Sequence, residues 1–208
     1  TNGKGSTVSF LESALNEKKY HVGTFTSPHI LRYNERIKIN GIEIDDESLL
    51  ETFEMINEVR GDTTLTYFEF ATLSAFYLFS KSNLDVAVLE VGLGGRLDAT
   101  NIVDSDISII TSIGIDHTEF LGNTIDSIAL EKAGVMRPFK TCIYAQEKPP
   151  AALLKYAKNK SVNLLIHNND YRVNLGRSHW SLKSKNNSIN KIPNLKMIGD
   201  YQYNYAAA

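Results

Sequence analysis

Several short segments carry residue types able to bind phosphate or metal. The first is Thr1-Asn2-Gly3-Lys4-Gly5-Ser6-Thr7, directly before a run with helical apolar spacing. Backbone N–H groups at a helix N-terminus attract anions, glycines let the backbone approach phosphate closely, and a Lys adds charge. The usual phosphate loop reads G-x-x-x-x-G-K-[ST], whereas here Gly5 separates Lys4 from Ser6. Taken by itself, the segment is also readable as a glycine-rich helix entry.

The second segment is Leu89-Glu90-Val91-Gly92-Leu93-Gly94-Gly95-Arg96-Leu97-Asp98. Glu90 follows a very apolar stretch, where a carboxylate is unfavourable unless paired or bound to metal. Its G-x-G-G spacing departs from the G-x-G-x-x-G dinucleotide fingerprint, so that reading is rejected. Asp116-His117 and Ser27-Pro28-His29 are weaker signals, and Ser27-Pro28 alone reads as a turn. Lys132 is different. Ile125, Ile128, Ala129 and Lys132 fall at i, i+3, i+4 and i+7, which puts Lys132 on the apolar face of a helix. A Lys there needs a partner, a shifted pKa or chemical modification, or else its stem snorkels to the surface.

These residues need elements to hold them. Helices are expected at 6–18, 45–59, 67–81, 124–134 and 149–159. Strands are expected at 21–26, 85–91, 106–113, 141–145 and 163–166. Asn40-Gly41 between two apolar runs signals a two-residue hairpin. Residues 85–91 (DVAVLEV) read as a strand buried on both faces. The alternation predicts an α/β fold with a doubly wound, mostly parallel sheet. Residues 168–194 are rich in Asn, Ser and Lys and read as a small β annex, with strands at 170–175 and 179–184. Ser27, Glu90 and His117 then all lie at or just past the carboxyl end of separate strands, the edge where open α/β sheets bind ligands. Oxygen and nitrogen donors beside a phosphate cradle point to Mg²⁺ with a nucleotide.

The length and composition fit one large soluble domain or two small ones. The chain has 208 residues, 42% hydrophobic and 22% charged, which excludes collagen, coiled coil and disulfide scaffolds. No run approaches a membrane span. A net charge of −2 offers no field for a nucleic-acid backbone. A single cysteine, Cys142, allows no internal disulfide and suits a reducing, cytoplasmic compartment.

Six ordered blocks, TNGKGST, TSPHILRYNERIKING, LTYFEFATLSAF, LEVGLGGRLDATN, SIGIDHTEFLG and IALEKAGV, resemble the dihydrofolate synthase/folylpolyglutamate synthase family of the Mur ligase superfamily. They cover residues 1 to about 146, and no motif is found over 147–198. The tail from Gly199 to Asn204 is similar to the family's G-x-H-Q-x-x-N segment, with Tyr201 in place of His. The resemblance implies a P-loop NTPase-type fold, the central ATP-binding domain. Residues 1–208 would be that domain truncated at both ends, without the C-terminal glutamate-ligase domain.

It also implies roles. Thr1, Asn2, Gly3, Lys4, Gly5 and Ser6 would hold the ATP phosphates, and Asn204 would touch the adenosine. Ser27 and Glu90 would bind one Mg²⁺, and Glu90 and His117 would join a second Mg²⁺ site with Lys132 as a CO₂ carbamate. Lys4, Glu90, His117 and Lys132 would be the catalytic set. Thr66, Tyr67, Phe68, Glu69, Leu97, Asp98 and Ala99 would contact the pterin. The implied reaction joins dihydropteroate to L-glutamate, or adds glutamate to reduced folates, through an acyl phosphate. The family suggests a monomer. The alternatives are a nucleotide- or pterin-binding module inactive in isolation, and a Mur-type ligase acting on a cell-wall precursor.

Overall fold

The computed structural model describes residues 3–208, so Thr1 and Asn2 of the expected phosphate loop lie outside the described residues. The chain divides into two compact units. One comprises Val8–Gly92 with Asp98–Ile102; the other comprises the residues up to Thr7, Leu93–Leu97 and Val103–Ala208.

In chain order the first part contains α1 (Lys4–Glu17), β1 (Val22–Phe25), β2 (Ile37–Ile39), β3 (Ile42–Glu43), α2 (Asp46–Arg60), α3 (Tyr67–Lys81) and β4 (Val86–Leu89). The strands order as β3-β2-β1-β4. β1 runs parallel to β4 and antiparallel to β2. The hairpin forms at Asn40-Gly41, whose φ values of 54° and 79° are those of a type I′ turn. Each helix start has a local cause. The Asp45 side chain accepts the Ser48 N–H at 2.8 Å and so satisfies an orphan donor of α2. Thr66 and Glu69 form a reciprocal capping box at α3. The core of this unit packs Phe25, Ile37, Ala71, Ala75 and Phe79.

The second part contains β5 (Ile107–Ile110), α4 (Thr118–Leu121), α5 (Ile125–Ala133), β6 (Thr141–Tyr144), α6 (Ala151–Asn159) and β7 (Asn163–Ile166). β5, β6 and β7 form a wholly parallel set. Ala129, Ala133, Cys142 and Leu153 are fully buried between these elements, and burying a side chain the size of Leu153 contributes about 1.5–3 kcal/mol. The annex follows as β8 (Tyr171–Leu175), β9 (His179–Ser184) and β10 (Ser188–Pro193), an antiparallel set in the order β10-β9-β8. The short helix α7 (Tyr201–Ala207) ends the chain.

Some expectations change. Among the described residues β4 pairs with β1 alone, and along it Ala87 is exposed while Val86, Val88 and Leu89 are half-buried, so this stretch is less buried than its apolar run suggests. The strand expected at 106–113 ends at Ile110. The Ile113 amide donates to the Gln146 side chain at 3.0 Å instead of a ladder partner. The annex gains β10, a strand with no apolar alternation, which pairs with β9 and is clasped by Trp180 Nε1 donating to the Pro193 carbonyl at 3.0 Å. Among the described residues no helix is long and apolar enough to cross a membrane.

Candidate functional site

The carboxyl end of β1 meets the carboxyl end of β4 through one side chain. Glu90 directly follows β4, is only 6% exposed, and its Oε2 accepts the Ser27 amide at 3.1 Å. The parallel pairing of the two strands forces this meeting, since Phe25 lies opposite Leu89. A cis Ser27–Pro28 bond follows. A serine hydroxyl and a buried carboxylate are hard oxygen donors, the set that suits Mg²⁺. Among the described residues no three His, Cys, Asp or Glu side chains cluster into a metal cage; Mg²⁺ ordinarily takes one or two carboxylates and keeps waters or phosphate oxygens.

The glycine loop after Glu90 is braced from within. Asp98 Oδ2 accepts the Gly92 amide at 2.9 Å, while Oδ1 accepts the Thr100 amide at 3.0 Å and its hydroxyl at 2.6 Å. Ala99 opens a short 3-10 turn that ends at Ile102. Of the residues expected at a pterin, Thr66 and Glu69 are engaged with each other at the start of α3. Tyr67 is 60% exposed, and Phe68 packs on Phe25 at 5.7 Å. The T-x-x-E spacing signals the capping box, a signal that sequence reading passed over.

In the other unit, Lys4 opens α1 and Gly3 precedes it at φ +84°. A Cβ at Gly3 would collide with the Tyr205 ring, at 2.3 Å from its Cζ, so α7 sits against Gly3 at the start of α1. Gly5 is exposed and Ser6 half-buried in the first turn of α1. Asn204 is half-buried on α7. Lys132 lies on the inward side of α5 beside the buried Ile128 and Ala129. Burial, then the nearby charge of Lys4, lowers its pKa, and Asp116 partly opposes this. Glu131, one residue earlier, points away and binds Arg96 at 2.9 Å. His117 has φ 51° as the N-cap of α4, and its ring is 3.7 Å from the Asp116 carboxylate. Leu97 is 79% exposed.

Sequence reading missed Arg36, a buried guanidinium beside His29, Tyr33 and Tyr67. The R-Y-N-E-R run contained a signal, because aromatic and basic residues crowd the segment just after Ser27.

The family model for the Mur ligase middle domain matches residues 1–208. The chain belongs to the Mur ligase middle-domain family. This Mur ligase domain is 42% identical over 193 residues to the dihydrofolate synthase/folylpolyglutamate synthase of Escherichia coli, covering 93% of the chain and 46% of that protein. It is 45% identical over 161 residues to the enzyme of the same name from Bacillus subtilis, covering 73% and 37%. The structure of E. coli FolC in complex with DHPP and ADP superposes with a TM-score of 0.94 at 40% identity, over 99% of this chain and 50% of that one. The Yersinia pestis bifunctional enzyme complexed with AMPPNP and Mn ion superposes with a TM-score of 0.92 at 41% identity, over 99% and 50%. The chain spans about half the length of the curated relatives it matches.

Proposed function

We propose that this Mur ligase domain supplies the ATP-binding and acid-activating part of a ligase that joins dihydropteroate to L-glutamate and extends reduced folates with glutamate. The observation that carries this reading is the buried Glu90 carboxylate held on Ser27 at the ends of two parallel strands, in a chain that matches a FolC bound to DHPP and ADP over 99% of its length.

The chemistry explains the residues. A carboxylate is a poor acyl donor because its leaving group would be oxide. Phosphorylation by ATP gives an acyl phosphate, whose leaving group is phosphate, and the glutamate amine displaces it. Residues Thr1 to Ser6 cradle the nucleotide phosphates, with Lys4 offsetting charge on the transferring group, and Asn204 touches the adenosine. Ser27 and Glu90 hold Mg²⁺, and His117 and Lys132 are further metal ligands. Bound Mg²⁺ neutralises phosphoryl charge as that group moves. The lowered pKa of Lys132 leaves a larger share of neutral amine able to take up CO₂, and as a carbamate it would present Lys4 with an anion instead of a second cation. Tyr67 and Phe68 stack on the pterin, with Thr66, Glu69, Leu97, Asp98 and Ala99 around it. Residues 1–208 form the ATP-binding domain, acting as a cytoplasmic monomer on small-molecule substrates.

Replacing Lys4 or Glu90 with Ala in the complete ligase should abolish ATP-dependent amide formation, and undiminished product from either variant sinks the reading. A second reading is a nucleotide- and pterin-binding module that does not complete ligation by itself. ADP release by the 208 residues with dihydropteroate and glutamate, compared with a full-length ligase, separates the two. The relatives are named for folate substrates, which disfavours a cell-wall precursor.

A further inference from the structure

Arg36 is 7% exposed, yet among the described residues no acid pairs with it. A buried cation without a counter-charge is unfavourable, and native proteins compensate it with a carboxylate or a ligand. Its surroundings are aromatic instead. The guanidinium carbon lies 5.6 Å from the Tyr33 ring centroid and 5.1 Å from that of Tyr67. Nε donates to His29 Nδ1 at 2.8 Å. A guanidinium only donates, so Nδ1 is the acceptor and His29 carries its proton on Nε2.

The surroundings of Arg36 are fixed before any ligand arrives. Glu35 accepts the amides of Ile30, Leu31 and Arg32 at 2.7–2.8 Å, which pins the loop after Pro28. Those amides, Ile30 first, hold its carboxyl down to about 2. The Tyr33 ring meets Phe53 and Tyr67 edge-on at 5.4 and 5.8 Å. Burial, then the neighbouring Tyr67, pushes the Tyr33 hydroxyl up to about 12, so it stays neutral.

Its place in the fold matters as much. The Thr26 amide donates to the Arg36 carbonyl at 2.8 Å, so Arg36 sits across the ladder from the residue before Ser27. Its guanidinium also touches Tyr67, at the first turn of α3.

We propose that Arg36 is a substrate-binding residue that receives a carboxylate of the acid substrate, with the exposed Tyr67 ring beside it as an apolar wall. The inference rests on the ligase reading above and deepens it. Carboxylate chemistry has two sources here: the lone benzoate-type carboxylate of dihydropteroate, and the tail carboxylates of a folate already bearing glutamate. A planar fork clamped between rings suits either, because carboxylate accepts two parallel N–H bonds.

The test measures equilibrium binding to the complete protein, without ATP or metal, of dihydropteroate, a reduced folate monoglutamate, and the carboxamide analogue of each. In the unaltered protein the acid should bind about 10- to 100-fold more tightly than its carboxamide, the size of a charge-assisted hydrogen bond. In Arg36→Gln that preference should fall to within about 3-fold, with Arg36→Lys between the two, while carboxamide affinity barely moves. A preference lost for the folate only assigns Arg36 to a tail carboxylate, one lost for dihydropteroate only assigns it to the benzoate carboxylate, and one lost for both shows that whichever carboxylate ends the acid substrate is seated on Arg36. Equal binding of acid and carboxamide by the unaltered protein overturns the inference without any variant having to fold. So does an Arg36→Gln protein that keeps the full preference, and in both cases the ligase reading stands. If the unaltered protein binds neither acid, the ligase reading falls and takes this inference with it.

Discussion

The Ser27 amide and the Glu90 carboxylate are 63 residues apart in sequence and 3.1 Å apart in space. The pairing of β1 with β4 therefore positions the Glu90 carboxylate at the ends of both strands. Glu90→Gln keeps the shape and an acceptor oxygen but removes the charge. Thermal unfolding should move little, within about 1 kcal/mol of stability, while Mg²⁺-dependent ATP binding by the complete protein is lost. Calorimetric titration with and without Mg²⁺ reads this directly, and unchanged metal dependence would contradict the ligand role.

Asp98 braces the glycine loop through Gly92 and Thr100. Asp98→Ala leaves those donors without their acceptor, and Thr100 is only 4% exposed. A loss of about 1–3 kcal/mol is expected, read as a lower urea midpoint. Asp98→Asn retains one oxygen and should lose less. Equal stability of all three proteins would show that the brace is dispensable.

Lys132 titrates below its ordinary value in the folded protein because of burial and Lys4. Between the folded pKa and the unfolded value of 10.5 the unfolded chain binds more protons, so this group makes stability rise with pH across that window. Lys132→Met removes the effect and should flatten the curve there. Added bicarbonate should raise the melting temperature of the unaltered protein and leave Lys132→Met unmoved. Intact-mass measurement under bicarbonate checks for the added CO₂.

His167 is 5% exposed, and neither ring nitrogen has a hydrogen-bond partner among the described residues. The Tyr171 ring lies tilted against it with centroids 5.4 Å apart, and Glu147 is the nearby acid. Burial lowers its pKa below 6.5, against the opposing pull of Glu147. The unfolded chain then binds more protons from 6.5 downward, so stability is full above that pH and falls as pH drops toward the folded value. Denaturant melts at pH 7.5 and 5.5 should show a smaller acid loss in His167→Phe than in the unaltered protein. An identical loss in both assigns the acid sensitivity to other groups.

Much of this fold was legible in the residues. The Asn40-Gly41 hairpin, the capped helix after Asp45 and the strands at 141–144 and 163–166 are local matters of turn chemistry, capping and apolar runs, and they stand where they were expected. Lys132 was marked by its helical spacing alone. The six ordered blocks indicated the ligase family from linear pattern, and the family match covers the chain.

Other features depend on partners that the linear pattern does not name. β4 reads as a strand buried on both faces, yet Ala87 is exposed, because the burial of a face depends on what packs over it and not on the run itself. β10 has no apolar alternation and exists through its ladder with β9 and the Trp180 clasp. Arg36 looked like one more charge in a polar run until folding buried it between two tyrosines. The sequence by itself determined the helices, turns and motif residues, because those follow from contacts a few positions apart. Only the tertiary structure decided that Ser27 meets Glu90, that Tyr205 covers Gly3 and that Arg36 is buried with no acid paired to it among the described residues, because each depends on elements far apart in the chain closing to within a few ångströms.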